Sequence, residues 1–125
     1  MKKYITLLLL LLLTTMLSAQ QMTITDFELN LHDQTANNED TKVIDDNGNP
    51  CALLKIETLQ KGFTIEGGSV GIAKIEEEHK GEIWVFVPAN LRRITIKHDQ
   101  LGVLRDYVFP EKLQPARTYT MRLVS

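Results

Sequence analysis

From Met22 onward the chain is written in short apolar stretches of period two separated by turn-forming residues, the signature of strands with one buried face. No stretch holds a helical period over a useful length. Met22-Thr23-Ile24-Thr25-Asp26-Phe27 alternates weakly, Asp33–Asp40 is a polar loop around Asn37-Asn38, and Val43-Ile44 leads into Asp45-Asp46-Asn47-Gly48-Asn49-Pro50. Asn47-Gly48 marks a tight turn, because both residues reach positive φ cheaply. In Cys51–Thr58 both alternating sets are apolar, so this strand is expected to be covered on both sides and central in a sheet. Lys61-Gly62 turns the chain, Phe63-Thr64-Ile65-Glu66 alternates cleanly, and Gly67-Gly68 breaks it before a strand over Val70–Ile75. Glu76–Gly81 reads as a solvated polar hairpin tip.

Ile83-Trp84-Val85-Phe86-Val87 is the most β-prone segment, with β-branched residues on one face and two aromatics on the other, and Pro88 ends it. Ile94 and Ile96 are expected inward, with Arg93, Thr95 and Lys97 in water. After a turn at Asp99–Gly102, Val103–Phe109 alternates again until Pro110. A last strand points Tyr119, Met121 and Leu123 inward and Thr120 and Arg122 outward. The pattern predicts an all-β fold, a single antiparallel β-sandwich of about seven or eight strands.

The first residues obey a different rule. Lys2-Lys3, the apolar run Ile5–Leu13 and Leu17-Ser18-Ala19 before Gln20 have the layout of a secretory signal peptide over residues 1–19, too short for the roughly 20 apolar residues of a membrane span. Cleavage leaves no stable membrane span. Residues 20–42 then supply an N-terminal strand and polar loop, and residues 43–125 the sandwich core, together one domain. Without Lys2 and Lys3 the mature chain carries 12 basic against 16 acidic residues, formally −4, which argues against nucleic acid as a partner. Cys51 is the only thiol, so no internal disulfide can form, and its apolar setting favours a buried, inert side chain.

Candidate chemistry is sparse. His32, His79 and His98 fall in separate segments without metal-ligand spacing, and Ser69 lacks the Gly-x-Ser-x-Gly order of a nucleophile. No catalytic, cofactor-binding or metal-ligating residue is assigned, and an enzyme or metal protein would need those histidines to converge. Asp45–Asn49 lacks the alternate acids and closing Glu of a calcium loop, so it reads as a turn. Gly67-Gly68-Ser69-Val70-Gly71 has no following Lys-Ser/Thr and no helix start, so it reads as a sheet bend rather than a phosphate loop. Trp84 and Phe86 are weighed first as core, and Arg92-Arg93 with Lys97 and His98 as a solvated basic patch. Trp84, Tyr107, Arg92 and Arg93 nevertheless make the one candidate ligand surface, an aromatic and basic set suited to a glycan.

Trp84-Val85-Phe86-Val87-Pro88-Ala89-Asn90-Leu91-Arg92-Arg93-Ile94-Thr95-Ile96, followed by Leu101-Gly102-Val103 and Tyr107, resembles the PEGA-type domain of bacterial envelope proteins, with Asn90 where that family favours Gly. Val43–Ala52 is similar to the opening hairpin of carboxypeptidase-regulatory-like modules. The resemblance covers about residues 43–123 and implies a prealbumin-like, or more broadly Ig-like, sandwich without catalytic residues. It further implies an accessory or adhesive role toward another envelope protein, in the periplasm or at the surface of a Gram-negative bacterium. The chain is then a stand-alone version of the module or a fragment of a larger protein.

Overall fold

The computed structural model describes residues 21–125, so the signal peptide expected over residues 1–19 lies outside the described residues. Eight strands follow in order: β1 (Thr23–Asn30), β2 (Ala52–Glu57), β3 (Thr64–Glu66), β4 (Lys74–Glu76), β5 (Glu82–Val87), β6 (Arg93–His98), β7 (Gly102–Val108) and β8 (Thr118–Val124). They form a five-stranded sheet, β1-β8-β2-β5-β4, and a three-stranded sheet, β3-β6-β7, with no helix among the described residues. The inner faces share one apolar core, a sandwich-like arrangement.

β2 is central, as its doubly apolar sequence predicts. It pairs antiparallel with β5 but parallel with β8, so the expectation of a wholly antiparallel sandwich is corrected to a mostly antiparallel one. Strand order is decided by packing, and periodicity does not encode it. Ala52, Leu54 and Ile56 join Val85, Tyr119 and Met121 in the core between the sheets, facing Ile65, Ile94 and Ile96. Leu53 and Phe86 point the other way, where Ala36, Val43 and Cys51 cover them as a second, smaller core. The long connection from β1 to β2 is therefore a lid on the outer face of the five-stranded sheet.

Two bulges rewrite the alternation. Thr25 pairs with Arg122 but Glu28 with Thr120, so β1 carries one extra residue at Asp26, whose φ is 56°. Strict alternation from Ile24 would turn Asp26 and Glu28 inward; the bulge turns Phe27 and Leu29 inward instead. In β7, Tyr107 pairs with Ile94 but Leu104 with Ile96, and the extra residue is Asp106, φ 52°. Leu104, Tyr107 and Phe109 consequently face the core, and Val103, Arg105 and Val108 face out, which corrects the simple alternation expected over Val103–Phe109.

Three further expectations are corrected. Of the strand expected over Val70–Ile75, only Lys74 and Ile75 enter β4, which runs on to Glu76, because the glycine turn extends to Gly71. Thr95 is only 9% exposed rather than in water, and its hydroxyl accepts the bulged Asp106 amide at 3.0 Å. Glu76 and His79 at the supposed solvated tip are half-buried and bonded to each other.

Thr118, fully buried where β8 meets both β1 and β2, has a hydroxyl with no partner among the described residues. Burying an unpaired hydroxyl is unfavourable. Thr118→Val is expected to stabilise the domain by about 1 kcal/mol in chemical denaturation; a comparable loss would show that the hydroxyl has a partner.

Candidate functional site

Trp84 stands on the outer face of β5, opposite Lys55 of β2 on one side and Glu76 of β4 on the other. Lys55 of β2 and His79 of the β4–β5 turn close on its ring. The His79 imidazole stacks on it at 3.5 Å between centroids and 11° between planes, while the Lys55 ammonium lies 4.4 Å from the ring centroid. The indole N–H donates to Glu82 Oε1 at 3.2 Å.

Each cover is itself fixed. Lys55 Nζ meets Asp33 Oδ2 at 2.6 Å and donates to the Thr35 hydroxyl at 3.1 Å, which ties the lid to the sheet. Burial alone would raise the Asp33 pKa; the hydrogen bonds from Lys55 and Thr35 outweigh it and hold the carboxyl below its ordinary value. His79 Nε2 lies 2.7 Å from Glu76 Oε1, and that hydrogen bond holds Glu76 low. Glu78 approaches the same ring nitrogen at 3.8 Å, making a cluster of two carboxylates and an imidazole that the sequence analysis missed. The nearness of Glu76, Glu78 and His79 in sequence to Trp84 was its only signal. Lys74 lies 3.0 Å from Glu76 and already supplies a cation there.

Tyr107 occupies the other sheet. It packs half-buried against the core and meets Phe109 edge-on at 6.1 Å, and desolvation raises its hydroxyl pKa. Arg92 and Arg93 are exposed and stand together in a groove of about 450 Å³, joined there by Arg105 of β7 and by the Gly67–Val70 turn. Of the four candidate ligand residues, the fold brings the two arginines together and leaves Trp84 and Tyr107 on different sheets.

The remaining candidates have local duties. His98 bonds the Lys61 carbonyl through Nε2 at 2.8 Å and accepts the Gln100 and Leu101 amides at Nδ1, bracing the turn into β7. His32 is exposed. Cys51 is buried, and desolvation together with the Asp45 charge pushes its thiol up to about 11, so the nucleophilic thiolate is scarce at neutral pH. No helix among the described residues is long and apolar enough to cross a membrane.

No protein-family model, curated protein or solved structure matches this chain.

Proposed function

We propose that this chain is an exported, non-catalytic accessory module of the Gram-negative envelope, a sandwich of prealbumin-like or Ig-like type that binds another envelope protein by strand addition at β7. The supporting observation is the edge itself. β7 is the outermost strand of its sheet, seven residues long, with Val103 and Val108 48% and 60% exposed beside unpaired backbone groups. Other edges offer less: β3 and β4 have three residues each, and β1, bulged like β7, exposes only the polar Thr23, Thr25, Asp26 and Glu28, with no counterpart of Val103 and Val108. An extended partner segment would gain main-chain hydrogen bonds along β7 and contacts to the two valines. A glycan platform on Trp84 is the weaker reading, since His79 and Lys55 already occupy its ring.

A photoactivatable crosslinker placed at Val103 or Val108 in intact cells tests this, with mass spectrometry of the adducts. One specific envelope protein is expected from these positions and not from Ile75 on the β4 edge, and Val103→Lys should reduce its recovery. Adducts equally abundant at Ile75, or none at β7, would overturn the proposal.

A further inference from the structure

The Arg92-Arg93 pair and the Gly67–Val70 part of the glycine run form the walls of one groove. Arg92 and Arg93 enter it from the start of β6 and Arg105 from the outward face of β7, where the Asp106 bulge keeps it out of the core. None of these guanidinium groups has a carboxylate within 4.0 Å among the described residues. Of the two acids lining the groove, Glu66 is engaged by Lys97 at 2.8 Å, leaving Asp106 as the single unpaired negative charge. Three like charges gathered on an otherwise acidic protein repel one another, and an anion between them relieves that repulsion.

The opposite wall offers backbone. Gly71 N–H closes the turn onto the Gly67 carbonyl at 3.1 Å, and Gly68 and Gly71 hold left-handed φ of 59° and 83°. A Cβ on Gly67 would lie 2.8 Å from the Gly71 carbonyl oxygen, so the turn requires glycine there. The amides of Gly68, Ser69 and Val70 have no hydrogen-bond acceptor among the described residues, and the space beside Gly68 is open. Successive free N–H groups in such a turn form an anion-binding concavity.

We infer that this groove binds a phosphate group, held by Arg92, Arg93 and Arg105 on one side and by the Gly68–Val70 amides with the Ser69 hydroxyl on the other. A carboxylate uses one guanidinium fork; a phosphate presents enough acceptor oxygens and charge for several forks and backbone donors at once. The phosphate belongs to a soluble ester or to a lipid headgroup, since both present the same oxyanion. This site does not depend on the β7 partner.

The test is an amide NMR titration of the mature chain with inorganic phosphate, pyrophosphate and acetate. Saturable shifts are expected at Gly68, Ser69 and Val70 with both phosphates, binding about tenfold weaker in the double variant R93Q/R105Q and unchanged in K112Q. Ser69→Glu, an exposed position where substitution spares the fold, should abolish binding by placing a carboxylate in the groove. Sedimentation with phosphatidic acid but not phosphatidylcholine vesicles would assign the phosphate to a lipid; pyrophosphate binding without sedimentation would assign it to a soluble ester. Absence of saturable shifts, unchanged binding in Ser69→Glu, or acetate binding as tight as phosphate would overturn the inference. Loss of the β7 crosslinks with phosphate binding intact would sink the strand-addition proposal alone.

Discussion

Phe86→Ala is expected to cost about 3–5 kcal/mol in chemical denaturation, a large part of the stability of a domain this size. Phe86 is 1% exposed although it points away from the core between the sheets, because Ala36, Val43, Cys51 and Leu53 enclose it. Truncation removes most of its contacts and leaves a cavity that a sheet and a bonded lid cannot collapse into. The magnitude discriminates between two pictures. With the lid seated the loss is several kcal/mol, whereas on an open sheet face the same truncation would cost less than about 1 kcal/mol.

Asp33→Ala is expected to cost about 2–4 kcal/mol and to loosen the lid first. The side chains of Lys55 and Asp33 are only 12% and 16% exposed, so the variant strands a desolvated ammonium above Trp84 and also removes the acceptor of the Thr35 hydroxyl and amide. Trp84, the sole tryptophan, reports this as a red-shifted emission. The pH dependence has a definite sign. The folded-state pKa of Asp33 lies below its ordinary 3.8, so the unfolded chain takes up the proton first on acidification. Stabilisation by this carboxylate is full above 3.8 and is lost as pH falls through the folded-state value. Denaturation of wild type and Asp33→Asn at stepped pH should show their difference shrinking in that acid range; a difference that grew there would contradict the pair.

The apolar pattern carries the all-β class, the central place of the doubly apolar β2 and the inward face of β8, where alternation runs unbroken; in β5 both faces are apolar, and it is Ile83, Val85 and Val87 that enter the main core while Phe86 joins the smaller one. It failed where one residue is inserted. In β1 and β7 the bulges at Asp26 and Asp106 reverse the phase, so the same letters place Val103 and Val108 outside and Tyr107 inside. The lid has the composition of a loop, but its seat on Leu53 and Phe86 is tied by Asp33 meeting Lys55 across 22 residues, a pairing no local pattern announces. The groove was half legible. Arg92-Arg93 is visible as a pair, while Arg105 and the glycine turn reach it only through the β6–β7 register and the pairing of β3 with β6.

β2, β5 and β8 are each flanked by a strand on both edges, while β7 leaves one edge open. Residue-resolved amide hydrogen exchange over residues 21–125 separates the two kinds of strand. The slowest exchange is expected at the centre of β2 and β5, with the β7 amides that point away from β6 exchanging as fast as loop positions. Uniform protection along β7, or β2 exchanging as fast as the edges, would contradict that strand order.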